Sequence, residues 1–184
     1  GEDRSLIERV QQGDRQAFRR LVEQHQAFAL SLAVSILKDP HRAEDVLQEV
    51  LIKVFIRIKS YRFKSSFSTW LYRIVVNHSY NELKKKKYLY PIEEIRVEQA
   101  EREETSVPLQ AKNQKKYVNM ALQRMKADEA LVLRLFYLSE YAIAEIKEIT
   151  GFSSAKIKVD LHRGRKNFKY YLEKLVGAEI NELL

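Results

Sequence analysis

The 184 residues suffice for one mid-sized domain or two small ones, each able to bury a hydrophobic core. Because 33 basic residues face 25 acidic ones, the net charge of +8 favours a polyanionic partner, with nucleic acid ahead of a membrane surface. The lack of cysteine excludes disulfides and thiolate metal sites, and no apolar run approaches the roughly 18 residues of a membrane span. We expect a cytosolic protein without a signal peptide.

Glycine and proline are scarce, at 5 and 3 residues, and apolar residues recur at helical spacing, which predicts an all-α fold. Gly13 is expected to end a first short helix, and Asp14 to cap a long amphipathic second one. A new helix is predicted to begin at Asp39 and Pro40, since aspartate is favoured at the N-cap and proline is favoured at the first helical position.

The next predicted helix runs from Pro40 to about Lys59. One of its faces is apolar and suited to a core. The opposite face, the Ile52 stripe, combines acids and an amide with two isoleucines, which favours a docking site for a partner helix. The alternative is that these isoleucines pack under a neighbouring helix of the same domain. The Ile52 stripe consists of Asp45, Gln48, Glu49, Ile52, Ile56 and Lys59.

Residues 60–66 break the periodicity and are predicted to form a loop, capped by Ser65 or Ser66 at the start of a helix over 67–88. That helix has one face suited to burial, made of Phe67, Leu71, Ile74, Val75 and His78. Beside it, the Trp70 stripe combines an aromatic ring, cations and amides that suit a nucleic-acid strand. The alternative is a core tryptophan and a solvated lysine-rich helix end. The Trp70 stripe consists of Trp70, Arg73, Asn77, Asn81, Lys84 and Tyr88.

Residues 91–112 hold six acids, three bases, two prolines and no aromatic residue, and are predicted to be a flexible acidic linker. Before it, residues 1–90 hold 17 basic and 10 acidic residues; after it, residues 113–184 hold 13 and 9. We therefore expect two basic helical modules, over 1–90 and 113–176, followed by a C-terminal tail over 177–184.

The second module is expected to begin near Asn113, with Asp128 capping its second helix. Residues 143–175 predict a helix-turn-helix: Gly151 supplies the turn, and Ser153 or Ser154 caps a basic helix suited to a major groove. The residues predicted to meet DNA there are Ser153, Ser154, Lys156, Lys158, Asp160, Arg163, Arg165 and Lys166.

Three segments in this order resemble the extracytoplasmic-function (ECF) group of bacterial sigma factors: AEDVLQEVLIKVF (43–55), FSTWLYRIVVNHSYN (67–81) and the helix-turn-helix. The resemblance covers about residues 14–90 and 113–175. It implies a first module that binds the clamp helices of the RNA polymerase β′ subunit and the promoter minus-ten element. It implies a second module that binds the minus-thirty-five element and the β flap, without cofactor, metal or catalysis. An anti-sigma factor is a further partner expected of this group.

Position by position, the resemblance assigns core polymerase to Asp45, Gln48, Glu49 and Ile52. Ile56, the second isoleucine of the Ile52 stripe, is expected to bind core polymerase with them. It assigns the minus-ten element to a loop that holds an extruded base and to the helix that follows. The loop runs from Tyr61 to Ser66, and its predicted DNA contacts are Tyr61, Arg62, Phe63 and Lys64. The helix residues are Trp70, Arg73, Asn77 and Lys84, and the helical pattern adds Asn81 to them.

Two residues of the helix-turn-helix depart from the family pattern. Lys147 stands where the family has a small residue, which bears on the packing of the corner. Asp160 stands where it has arginine, and its carboxylate is suited to accept from a cytosine amino group. We therefore expect an altered minus-thirty-five preference, which selection of sites from random duplexes tests.

Two other classes of protein fit this sequence less well. An enzyme is disfavoured because His25, His41, His78 and His162 are scattered and no metal-binding, phosphate-loop or nucleophile motif accompanies them. A stand-alone helix-turn-helix regulator is the alternative function, but it leaves the first module without a purpose and needs a dimer to read a palindrome.

Overall fold

The computed structural model describes residues 2–89 and 109–183, with side chains for residues 4–85 and 113–178. Within these ranges the chain is helical, with no strand, which confirms the predicted all-α fold. A 3-10 turn follows α3 and a π-helical turn, Arg134–Leu138, follows α6. The helices are α1 Glu2–Gln11, α2 Arg15–Leu37, α3 Pro40–Arg57, α4 Phe67–Leu89, α5 Leu109–Arg124, α6 Ala127–Leu133, α7 Ile143–Thr150 and α8 Ser154–Leu183.

The chain divides into two units, the first containing α1–α4 and the second containing α5, α6 and α8. Helix α2 is the centre of the first unit and contacts α1, α3 and α4. The predicted boundaries around it are confirmed. Gly13 has a φ of +95°, and the Asp14 side chain accepts from the Ala17 amide. This backbone hydrogen bond, followed by one from Arg9, holds the pKa of Asp14 below its usual value. Asp39 caps α3, with Pro40 as its first residue.

Helix α4 buries the face that its periodicity predicts. Phe67, Leu71 and Val75 are buried, whereas Ile74 and His78 are half-buried. The buried face is wider than predicted because it also includes Thr69, Tyr72, Val76 and Ser79. The Ser79 hydroxyl donates to the Val75 carbonyl, which satisfies a polar group inside the core.

The second unit differs from the prediction at three boundaries. Helix α5 begins at Leu109, four residues before the expected start, so residues 109–112 of the predicted linker are helical. Helix α6 begins at Ala127 with Lys126 at its cap position, so Asp128 lies in the first turn and is not the cap. Helix α8 continues to Leu183, so the predicted C-terminal tail begins within a helix. The rest of the predicted linker lies outside the described residues.

The core of the second unit lies between α6 and α8. Leu131 and Leu135 are fully buried there, as is Ile157 on α8. Gly164 of α8 lies against α6, where a Cβ would be 3.2 Å from Leu133 Cγ and 3.5 Å from Glu129 Cβ. The missing side chain therefore permits the close approach of the two helices.

We expect Gly164→Val to destabilise the protein by about 1–3 kcal/mol, because the valine methyl groups need space that Leu133 occupies. Gly177 of the same helix has no such neighbour within 4 Å, so Gly177→Val is the matched control. We expect the control to change the free energy of unfolding by less than about 1 kcal/mol. Urea unfolding followed by circular dichroism measures both, and equal stabilities would contradict the close approach of α6 and α8.

Candidate nucleic-acid interface

The Trp70 stripe of α4 reaches solvent. Arg73, Asn77, Asn81 and Lys84 are exposed, and Trp70 is partly exposed. They recur at steps of three and four residues, so their side chains follow one line along the helix. Tyr88, the last member, lies outside the described side chains. The stripe therefore offers a ring, two amides and two cations to a partner.

Trp70 has an aromatic backing. Its ring centroid lies 5.1 Å from that of Tyr61 and 5.8 Å from that of Phe67, both tilted. Tyr61 and Phe67 are themselves buried. Because these buried rings pack against one side of the indole, Trp70 is neither fully buried in the core nor free to rotate on the surface. An indole held in this way is suited to stacking on a base.

The loop before α4 presents cations on an aromatic support. Arg62 and Lys64 are exposed, and Phe63 is half-buried with a φ of +58°. The structure corrects the prediction for Tyr61: its ring is buried and its hydroxyl donates to the Ser65 carbonyl. Tyr61 thus supports the loop and Trp70 instead of meeting a base itself.

The Ile52 stripe runs along α3 and ends at Lys59 in the 3-10 turn, and all its members are exposed. The side chains of Ile52 and Ile56 are 63% and 69% exposed, so within the described chain neither isoleucine is covered by a neighbouring helix. The sequence missed Phe55, which is 41% exposed and packs edge-on against Phe18 of α2 at 5.1 Å. A shallow apolar groove with Arg15 and Arg19 at its rim continues from Phe55 onto α2. Contiguous exposed apolar surface of this kind is typical of a protein-protein interface.

A hydrogen-bonded network joins α3 to α4 and includes Glu49 of the Ile52 stripe. His78 Nε2 lies 2.7 Å from Glu49 Oε2, and Lys53 Nζ lies 2.8 Å from His78 Nδ1. An ammonium group only donates, so Nδ1 is the acceptor and Nε2–H donates to Glu49. Glu82 completes a group of potential metal ligands, but Lys53 and Lys85 already supply positive charge to it. This network positions Glu49 on the Ile52 stripe.

The helix-turn-helix has the predicted local geometry. Helix α7 ends at Thr150, Gly151 has a φ of +74°, and the Ser153 hydroxyl accepts from the Lys156 amide. Ser153 is therefore the cap of α8. Lys147, which the sequence suggested as a crowded contact, is exposed.

Two residues predicted to meet DNA are instead engaged within the unit. Asp160 is buried, and its carboxylate pairs with Lys156 Nζ at 2.9 Å. Lys156 also pairs with Asp128 of α6 at 2.9 Å and covers the Phe152 ring. Burial would lower the pKa of Lys156, but the two carboxylates outweigh it and the pKa is raised. The prediction that Asp160 accepts from a cytosine is corrected, because its carboxylate faces inward.

The remaining exposed face of α8 is basic. Lys158, Arg163, Arg165 and Lys166 are exposed, whereas Ser154 is partly covered. Arg165 donates to the Tyr137 hydroxyl at 2.8 Å. Val159 is also exposed on this face, at 44%, beside Lys158, and its side chain is suited to contact a thymine methyl group. The sequence gave no signal for Val159, because an apolar residue in a helix is expected to be buried.

The sequence also gave no indication that Arg134 lies inside the second unit. It is buried in the π-helical turn, its guanidinium lies 3.4 Å from the Asn119 side-chain oxygen, and burial lowers its pKa to about 10. Arg134 therefore stays charged at neutral pH and is a structural residue. Among the described helices, none has an apolar stretch long enough to cross a membrane.

Two family models match this chain. Sigma-70 region 2 matches residues 21–88, and Sigma-70, region 4 matches residues 115–168. Together they cover α3, α4 and the helix-turn-helix, where the two stripes and the basic face lie.

Curated relatives agree with these matches. The chain is 28% identical over 182 residues to the ECF RNA polymerase sigma factor SigW of Bacillus subtilis, covering 92% of this chain and 96% of that one. It is 40% identical over 100 residues to the RNA polymerase sigma-H factor of Pseudomonas aeruginosa, and 42% over 99 residues to the ECF RNA polymerase sigma-E factor of Haemophilus influenzae. Each of these two matches covers 54% of this chain and 52% of the relative.

Solved structures share the fold. CnrH in complex with the cytosolic domain of CnrY is similar with a TM-score of 0.63 and 19% identity, over 95% of this chain and 99% of that one. The sigma factor RpoE of Bartonella quintana, in complex with the anti-sigma factor NepR, is similar with a TM-score of 0.63 and 23% identity, over 85% and 96%. The chain belongs to the sigma-70 family, in its ECF group, and is a transcription initiation sigma factor.

Proposed function

We propose that this sigma factor uses the Ile52 stripe to bind core RNA polymerase, the Trp70 stripe and loop 61–66 to hold the melted minus-ten element, and α8 to grip the minus-thirty-five duplex. The observation that carries the proposal is the partly exposed, aromatically backed Trp70 in line with Arg73 and Asn77. We assign these roles to a region 2-like domain over 1–90 and a region 4-like domain that starts at α5, with the linker between them.

In this proposal, the free energy of binding unpaired bases offsets the cost of separating the two DNA strands. Separating DNA costs on average about 1.4 kcal/mol per base-pair step. Stacking of a base on an aromatic side chain returns about 1–3 kcal/mol, so Trp70 and one base pocket offset the opening of a few pairs. In this proposal Asn77 and Asn81 read base edges, and Arg73 and Lys84 meet phosphates. No bond is made or broken by the protein, so its role requires neither catalysis nor a cofactor.

Core binding rests on exposed apolar surface beside exposed acids. Ile52 and Ile56 would insert into the clamp helices of the β′ subunit, while Asp45, Gln48 and Glu49 would supply polar contacts at the rim. The Bartonella quintana structure contains an anti-sigma factor. We propose that an anti-sigma factor also uses the Ile52 stripe, which would prevent polymerase binding by occupying it. The β flap is the proposed polymerase partner of the second domain, and the cytoplasm is the proposed location.

At the minus-thirty-five element, we expect Lys158→Gln to weaken promoter binding by the assembled holoenzyme. Loss of one phosphate contact should reduce the slope of log affinity against log salt by about 0.9. Lys169→Gln is the control, because Lys169 is exposed on the same helix about 16 Å farther along its axis. Fluorescence anisotropy with a labelled promoter duplex at several salt concentrations measures the slope. An unchanged slope for Lys158→Gln would count against its contact with DNA.

Transcription with purified core polymerase and a pool of genomic promoters tests the whole proposal. We expect specific open complexes that require both proteins. A stand-alone helix-turn-helix regulator would instead bind its duplex tightly without core enzyme, and that result would overturn the proposal.

A further inference from the structure

Loop 61–66 is attached to α1 by a side chain that is distant in sequence. Gln11 Nε2 lies 2.9 Å from the Ile58 carbonyl oxygen and 2.9 Å from the Tyr61 carbonyl oxygen. An amide nitrogen carries two hydrogens, so Gln11 donates to both carbonyls at once. These carbonyls mark the start of the 3-10 turn and the start of the loop, respectively.

Gln11 is itself held in place. It is the last residue of α1, and the turn behind it is closed by a hydrogen bond from the Gly13 amide to the Val10 carbonyl. Arg9 and Asp14 form an ion pair across the same turn, with nitrogen and oxygen 2.7 Å apart. A donor anchored on both sides fixes the position of the backbone it binds.

A second contact from α1 reaches the middle of the loop. The guanidinium carbon of Arg4 lies 4.7 Å from the centre of the Phe63 ring, which also packs on Tyr61 at 4.8 Å. Phe63 has a φ of +58°, a left-handed conformation that a residue other than glycine keeps only when its surroundings enforce it. Arg62 and Lys64, on either side of Phe63, point to solvent. Helix α1 thus holds the loop at its beginning and at its strained residue.

We propose that α1 acts as a positioning element, in which Gln11 sets the shape of loop 61–66 for the extruded minus-ten base. The inference rests on the proposed function of that loop and adds a determinant outside the matched region 2, which begins at residue 21. Gln11 contacts no base. It holds the Ile58 and Tyr61 carbonyls, and through them the pocket and the rings behind Trp70.

The test compares Gln11→Leu with Gln12→Leu in the full chain bound to core polymerase. Gln12 is the matched control because it is the adjacent glutamine and is exposed, whereas the glutamine side chain that donates to the Ile58 and Tyr61 carbonyls is that of Gln11. The probe is a single-stranded non-template minus-ten oligonucleotide, with each position in turn made abasic. For each protein we compare the affinity for the intact strand with the affinity for the strand that lacks one base. The readout is the ratio of these two affinities at the position where the wild-type protein shows the largest ratio.

We expect Gln11→Leu to lower this ratio by about tenfold, since two neutral hydrogen bonds are lost, and Gln12→Leu to leave it unchanged. Reduced folding would lower both affinities equally and would not change their ratio. Arg4→Ala is a second variant, expected to lower the ratio by about threefold, and it carries the test if Gln11→Leu fails to fold. If the wild-type protein binds every abasic strand as tightly as the intact strand, the proposed function of the loop is overturned. If the wild type discriminates and both variants retain its ratio, only the positioning role is overturned.

Discussion

Replacing Trp70 with alanine is expected to reduce open-complex formation on a duplex promoter by about tenfold or more. Stacking of one base on an aromatic ring contributes about 1–3 kcal/mol, and a loss of about 1.4 kcal/mol corresponds to a factor of ten. The indole is partly exposed and backed by Tyr61 and Phe67, so alanine removes the stacking surface but leaves the support. Permanganate reactivity of unpaired thymines in the minus-ten element measures the opened fraction. Trp70→Phe keeps an aromatic face and should retain most of the opening.

A pre-melted promoter separates two ways in which Trp70 would act. If the ring only stabilises the edge of the duplex, Trp70→Ala recovers full activity on a template with a permanent bubble. If the ring stacks on a captured base, the defect persists on that template. Binding of the variant to core polymerase and its thermal unfolding serve as controls for folding. Unchanged opening by Trp70→Ala on duplex DNA, with folding intact, would refute the role of the Trp70 stripe.

The paired substitution Ile52→Asp and Ile56→Asp is expected to weaken assembly with core polymerase by about a hundredfold or more. Both side chains are more than 60% exposed, so the free protein loses little packing, whereas a docked interface would bury two unpaired carboxylates. Competition with wild-type sigma factor for fluorescently labelled core enzyme measures the loss.

Gln24→Asp is the control for an added carboxylate. Gln24 is exposed on α2, in the same domain as the Ile52 stripe but outside it. We expect this variant to leave core binding unchanged. If the paired variant binds core polymerase as tightly as Gln24→Asp does, the Ile52 stripe is not the polymerase interface.

Local signals in the sequence predicted the helix boundaries that depend on one residue. Asp14 and Asp39 accept from the amides of the following turn, and Gly151 adopts a positive φ. Each requirement is met within a few residues of chain, so it can be read without knowledge of the fold. The prediction was wrong at the start of α5 and at the end of α8, because the helices begin at Leu109 and end at Leu183 and not at the expected residues.

Helical periodicity likewise predicted which faces of α3 and α4 reach solvent. Exposure of Ile52 and Ile56, and the line of Arg73, Asn77 and Asn81, follow from the angle between successive residues. Whether those surfaces bind polymerase and DNA stays a prediction, because it depends on partners.

The amino-acid sequence by itself thus determined the helical class, the main caps, the exposed stripes and the family. Tertiary structure alone decided that Tyr61 and Asp160 turn inward, that Arg134 is buried, and that Gln11 reaches carbonyls 47 and 50 residues away. A side chain's neighbours along a helix are fixed by its spacing, whereas contacts between distant residues depend on how whole helices pack. For that reason Tyr61 and Asp160, whose residue types suit DNA contacts, instead pack against or pair with Trp70 and Lys156, respectively.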